Sequence, residues 1–140
     1  MTERSLIDTG PLVAIYSDDD ADRQRCSQAL PKLKPPLLTC WPVLTEAAWL
    51  LRKQPDAFPN IVQGFADGLF ALAPLDAADL AAIDVIMRRY EDIGLQLADA
   101  ALVHIADRES IRTVFTLDRR DFSIIRLKRN RPLRIIPEVQ

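Results

Sequence analysis

Four acidic residues stand at the edges of predicted elements rather than in charged surface runs. Asp8 closes a short apolar strand in Ser5-Leu6-Ile7-Asp8-Thr9-Gly10, and Asp118 ends another, Thr113-Val114-Phe115-Thr116-Leu117-Asp118. Glu46 follows the apolar stretch Leu37-Leu38-Thr39 and opens a helix, and Asp99 heads a second helix in Leu97-Ala98-Asp99-Ala100-Ala101-Leu102. In an open parallel α/β sheet, strand C-termini and helix N-termini share one edge, where ligands bind. Four carboxylates gathered there repel one another unless a cation holds them, so a hard divalent metal is the natural inference. Such an ion orients and deprotonates water and neutralises charge developing on a phosphodiester; two ions ~4 Å apart divide that work. No nucleophilic serine or cysteine is needed. Acids also cap helices and end strands for structural reasons alone, so spacing leaves convergence of all four open.

The elements that must position these acids follow from apolar spacing and proline punctuation. Leu6-Ile7 is a very short strand, and Pro11 starts a helical turn through Tyr16. The segment Ala21 to Leu30 predicts a helix ending at Pro31. After Pro35-Pro36 comes strand two, Leu37-Leu38-Thr39. Pro42 marks a helix with Val43, Ala47, Leu50 and Leu51 on one face, and Glu46, four residues before Leu50, should point near that face. Pro55 and Pro59 interrupt before a short helix near Ile61 to Asp67. Phe70 to Leu75 reads as strand three, Ala77 to Tyr90 as a helix with Leu80, Ile83 and Met87 inward, and Leu97, Ala101, Leu102, Ile105 and Ala106 as the buried stripe of the next helix. Thr113 to Thr116 is strand four and Leu133 to Ile136 strand five. Short apolar strands alternating with helices predict one α/β domain over residues 1–140, a central parallel sheet covered on both faces.

Other groups compete less well for chemistry. Asp18-Asp19-Asp20 suits a loop and helix cap. His104 lies five residues after Asp99, off the same helical face, and reads as a surface or partner-contact residue. Cys26 and Cys40 show no metal spacing and read as free thiols in a reducing compartment. Trp41, Trp49 and Tyr90 form no visible stacking platform for bases, and Trp49 is expected to fill a helix-packing site. Arg119, Arg120, Arg126, Lys128, Arg129, Arg131 and Arg134 fall within sixteen positions. Arg119 and Arg120, directly after Asp118, have the donor fork for a phosphate; the distal group extends an RNA path or is simply solvated.

Composition bounds the class. The 140 residues are 49% apolar and 27% charged, as in an ordinary soluble domain. A net charge of −2 argues against non-specific coating of nucleic acid. Without a signal peptide or a ~20-residue apolar run, no membrane role and a cytoplasmic location are expected.

The segments Leu6-Ile7-Asp8-Thr9-Gly10-Pro11-Leu12, Glu46-Ala47, Leu97-Ala98-Asp99-Ala100-Ala101-Leu102 and Thr116-Leu117-Asp118-Arg119-Arg120-Asp121-Phe122 occur in an order that resembles PIN-domain nucleases, particularly the small bacterial VapC-type toxins. The resemblance spans almost the whole chain. It implies a three-layer α/β/α PIN-like fold and metal-dependent endoribonuclease activity. By position it makes Asp8, Glu46, Asp99 and Asp118 the catalytic and metal-binding carboxylates for Mg²⁺, with Mn²⁺ an alternative. Thr9 and Thr116 would supply supporting hydroxyls, and Asp121 is either a further acid or the partner of a nearby arginine. Many relatives carry an acid where this chain has Gln96, which weakens the case for a second tightly held ion; Asp92 nearby reads as a loop stabiliser. RNA as substrate, a small antitoxin and a homodimer are implied. A non-catalytic RNA- or protein-binding PIN-like module is the alternative, and a phosphotransfer receiver is disfavoured because Asp99 falls on a helix.

Overall fold

The computed structural model describes residues 3–138. Five three-residue strands, β1 (Ser5–Ile7), β2 (Leu37–Thr39), β3 (Phe70–Leu72), β4 (Thr113–Phe115) and β7 (Arg134–Ile136), form one parallel sheet in the order β3-β2-β1-β4-β7. The central β1, β2 and β4 are buried throughout, which is why they read as unbroken apolar or small-residue runs rather than alternating ones. Seven helices connect or flank the strands: α1 (Thr9–Tyr16), α2 (Arg23–Ala29), α3 (Trp41–Leu50), α4 (Ala57–Ala66), α5 (Ala77–Arg89), α6 (Leu97–Glu109) and α7 (Arg119–Ile124).

Helix α1 packs against α2, α3 and α4, whereas α5 packs against α6. The chain steps outward from β1 to β3 through α1–α4, then returns through α5 and α6 to the other side of β1. Right-handed crossovers put connections that travel in opposite directions on opposite faces, giving the three-layer arrangement expected. The reversal lies between β1 and β4, where a doubly wound sheet opens a crevice. Leu6, Ile7, Leu12, Leu102, Ile105, Val114 and Phe115 form the centre of the core.

Several boundaries and faces differ from expectation. Helix α2 ends at Ala29 and a 3₁₀ turn (Leu30–Lys32) carries the chain through Pro31. Helix α4 starts four residues early because Pro59 falls in its first turn, where its missing N–H has no intrahelical partner to lose. Leu80 and Leu97 face outward at 58% and 45% exposure, while Ile86 joins Ile83 inside. Trp49 does not fill a packing site: it is 64% exposed, with the Arg52 guanidinium 3.9 Å over its ring. Leu50 is likewise exposed, so the inward face of α3 is Val43, Leu44 and Ala47.

A two-stranded antiparallel hairpin, β5 (Arg126–Leu127) and β6 (Arg131–Pro132), lies outside the main sheet and was not evident from the apolar pattern. Two strand residues per arm are too few to show an alternation. Among the described residues, no helix is long and apolar enough to cross a membrane.

Candidate active site at the carboxyl edge of the sheet

The site starts with register. Ile7 pairs with Phe115, and the Asp8 N–H continues the ladder by donating to the Phe115 carbonyl at 2.9 Å. The residues just past the two strands, Asp8 and Thr116, therefore lie side by side. The Thr116 hydroxyl donates to Asp8 Oδ2 at 2.7 Å and accepts the Asp118 N–H at 3.0 Å. The other Asp8 oxygen accepts the Thr9 N–H at 2.7 Å, capping α1. Asp118 caps α7 by accepting the Asp121 N–H at 3.1 Å. Thus β1 and β4 are each followed by an aspartate that caps the next helix, and Thr116 connects the two caps.

Asp99 arrives from the opposite helical layer. Gly94, in the left-handed conformation at φ 67°, ends a 3₁₀ turn (Glu91–Ile93) and leads into α6, whose first turn carries Asp99. Flanking Ala98, Ala100 and Ala101 are buried, so the helix backbone comes close to the sheet and leaves Asp99 half-buried. Glu46 is not at a helix start as expected. It occupies the second turn of α3, and its side chain is exposed.

Burial and mutual repulsion set the electrostatics. Burial pushes the Asp8 carboxyl up to about 6 despite its two hydrogen bonds, and Glu46 and Asp118 push it the same way. Asp99 rises to about 7, first from burial and then from the charges of Asp8, Asp118, Glu46 and Asp121. Asp121 also rises, from desolvation and from Asp118. Four carboxylates thus act electrostatically on Asp99, and Asp121 is one of them. Among the described residues Asp121 has no arginine or lysine within ion-pair distance.

The donor set suits a hard cation, because carboxylate oxygens that repel one another are stabilised by a shared positive charge. Beside Asp8, the buried Thr9 hydroxyl has no hydrogen-bond partner. Among the described residues, no three His, Cys, Asp or Glu side chains are already drawn together tightly enough to hold an ion.

The remaining candidates separate clearly. Arg119 donates to the Pro137 carbonyl at 2.6 Å, whereas Arg120 is exposed. His104 Nε2 lies 2.7 Å from Asp79 Oδ1, which also accepts from Arg108 at 3.1 Å; this ties α5 to α6 away from the acidic edge. Cys26 and Cys40 are buried thiols, each pushed up to about 11 by burial. Asp92 lies exposed in the 3₁₀ turn before α6. A groove of about 910 Å³ between α2 and the β1-β4-β7 strands contains none of the four carboxylates in its lining.

The PIN domain family model matches residues 5–128, a span that includes all four principal acids. The chain belongs to the PIN domain family. Ribonuclease VapC26 of Mycobacterium tuberculosis strain H37Rv is 33% identical to this PIN domain over 123 residues, covering 86% of this chain and 91% of its own. The crystal structure of Mycobacterium tuberculosis VapC20, described as a sarcin-ricin loop cleaving toxin, superposes with a TM-score of 0.71. It is 16% identical, with 83% of this chain and 91% of that one covered, and it establishes that the PIN fold is shared.

Proposed function

We propose that this PIN domain protein is a metal-dependent endoribonuclease that hydrolyses RNA phosphodiester bonds, and that it is the toxin of a toxin-antitoxin pair. Asp8, Glu46, Asp99 and Asp118 are its metal-binding and catalytic carboxylates. The observation that carries this reading is the pair formed by buried Asp8 and half-buried Asp99, pushed up to about 6 and about 7 by burial and by the surrounding carboxylates. Such an arrangement destabilises the fold unless something positive occupies it, which is expected of a functional site rather than a structural cap. VapC26, a ribonuclease by name, supports the reaction class.

Mg²⁺, with Mn²⁺ as a substitute, would activate water and screen the phosphate charge when bound. Asp8 and Asp99 would hold it, with Asp118 and Glu46 supplying the remaining carboxylates of the site. The chain's own contribution is orientation. Thr116 fixes the Asp8 carboxylate and the Asp118 backbone together, and Asp121 adds negative charge at the same edge. Thr9 supplies a free hydroxyl next to Asp8. Arg120, rather than Arg119, is the exposed cation placed to meet an RNA phosphate.

An antitoxin and a second copy of the chain are the partners of this reading, and a cytoplasmic location goes with it. Trp41, Trp49, Leu50 and Val62, all more than half exposed on α3 and α4, give a protein partner an apolar seat near Glu46.

Incubation with a panel of structured RNAs, with Mg²⁺ or Mn²⁺ and with EDTA, tests the activity. Cleavage that needs the metal and disappears in Asp8→Asn is expected. Cleavage indifferent to EDTA sinks the mechanism, and RNA binding without cleavage across the panel favours a non-catalytic binding module.

A further inference from the structure

We infer that the β5–β6 hairpin is a second RNA-binding element, a clasp for the phosphate backbone of a double-stranded stem beside the segment that is cut. The inference rests on the ribonuclease reading and adds to it the form of RNA recognised. Residues 126–132 contain Arg126, Lys128, Arg129 and Arg131 and no acidic residue. All four cations are exposed, and among the described residues none has a carboxylate within ion-pair distance. The neighbouring cations differ: Arg134, two residues after the hairpin, holds Glu138 at 2.8 Å, and Arg108 is shared between Asp79 and Glu109. In a chain of net charge −2, an uncompensated cluster of four is a local field that favours a polyanion.

The cluster is held in place. Leu127 and Leu133 are buried on either side of the turn. The Lys128 N–H donates to Asp107 Oδ1 at 2.9 Å, and the Arg126 N–H donates to the Tyr90 hydroxyl at 3.0 Å. The Arg126 guanidinium donates to the carbonyls of Ser123 and Ile125 at 2.8 and 3.1 Å. At the turn, Arg129 and Asn130 both adopt the left-handed conformation, with φ 63° and 60°. A non-glycine residue there is uncommon and costs energy, so glycine would be the easier choice unless the arginine side chain is used. Cations positioned before binding lose less entropy on meeting a ligand.

Position and composition favour a duplex. Asp107, which anchors Lys128, lies eight residues beyond Asp99 on α6, about 12 Å at the helical rise. That distance is about three to four base-pair steps along a duplex, so one RNA can touch both the acidic edge and the hairpin only if it continues past the cut site. Residues 126–132 include no aromatic side chain, and Tyr90, beside them, is packed against the core. Single-stranded RNA is bound largely by stacking on aromatic side chains. Double-stranded RNA is recognised by shape and backbone contacts, which is all this hairpin offers. The β6 strand also lies beyond the segment matched by the family, residues 5–128.

The test uses the full chain in EDTA, so that binding is read without cleavage. The variant Lys128→Gln/Arg129→Asn/Arg131→Gln keeps the turn, since asparagine tolerates the left-handed conformation at 129. Fluorescence anisotropy with a labelled 20-base-pair RNA duplex and a 20-nucleotide oligouridine is the readout. The expected result is a duplex affinity weakened about tenfold at 0.1 M salt, with the salt slope reduced by about 2 to 3, one contact per lost cation. Oligouridine binding should change much less. Unchanged duplex affinity and slope, or an equal loss on both RNAs, overturns the clasp. If the triple variant melts early, Arg131→Glu alone is measured in its place. A wild-type protein that binds duplex through the hairpin yet cleaves nothing with Mg²⁺ defeats the nuclease reading and leaves the clasp standing; cleavage with a hairpin indifferent to duplex does the reverse.

Discussion

Thr116 and Asp8, 108 positions apart in sequence, are joined by a 2.7 Å hydrogen bond, and the same hydroxyl receives the Asp118 backbone at 3.0 Å. One small side chain therefore orients two of the acids proposed to act on RNA. Thr116→Val removes a donor from a buried carboxylate and an acceptor from the Asp118 N–H, at nearly constant volume. The expected cost is about 1.5–3 kcal/mol of stability near pH 7, where Asp8 carries charge, with RNA cleavage reduced at least tenfold. Thr116→Ser should recover most of both. Thermal melts and cleavage rates of the two variants check this; a fully active valine variant would remove Thr116 from the site.

The raised carboxyls of Asp8 and Asp99 also predict how the metal-free protein responds to pH. Unfolded, each titrates near 3.8; folded, near 6 and 7. Between those values the folded chain binds more protons than the unfolded one, so stability falls as pH rises from about 4 through 7. In EDTA, the melting temperature should be several degrees higher at pH 5.5 than at pH 8. Mg²⁺ should raise the pH 8 value more than the pH 5.5 value, and Asp99→Asn should flatten both effects. A metal-free melting temperature that climbs toward pH 8 contradicts the assignment.

His104 should prove structural. Its ring meets Asp79, whose carboxyl is lowered to about 2, first by the Asp76 backbone N–H in the capping box of α5 and then by His104 and Arg108. His104→Ala removes a cross-link between α5 and α6 and is expected to lower the melting temperature. Cleavage rates should stay within about threefold, since the fold retains its other contacts. A catalytic collapse in a well-folded His104→Ala protein would require a different mechanism.

Arg119 and Arg120, adjacent in sequence, should behave differently. Arg119→Ala leaves the Pro137 carbonyl without its 2.6 Å donor and should lower stability by about 1 kcal/mol while sparing RNA affinity. Arg120→Ala should leave the melting temperature unchanged and weaken RNA binding at low salt, with the salt slope reduced by about 1. Equal effects on RNA binding from both substitutions would count against this division.

The sheet is legible because its strands are compact apolar runs, most of them next to proline, glycine or aspartate. Asp8 after β1, Asp118 after β4 and Asp99 at the head of α6 follow from those runs, although their convergence does not. Glu46 could not: four residues from Leu50, it seemed to share an inward face, but Leu50 itself is exposed and Glu46 points outward with it. The same limit misplaced Trp49, Leu80 and Leu97, because helical spacing identifies a face and not the neighbour that covers it. Arg119's turn toward Pro137 depends on where β7 ends, a tertiary fact no local pattern contains. The Asp8–Thr116 contact depends on β1 pairing with β4 in one register, and threonine after a strand gives no sign of it.

The central place of β1 has a further consequence for how the protein comes into being. Residues 5–7 are made long before residues 113–115, their second neighbour in the sheet. A ribosome that has reached residue 100 has produced Asp8, Glu46 and Asp99 without the strand, the threonine or the fourth acid that complete the arrangement. A growing chain, or a fragment cut within α6, therefore contains most of the carboxylates and no assembled cleft. Synthesis itself delays assembly of the cleft until β4 and Asp118 have been made.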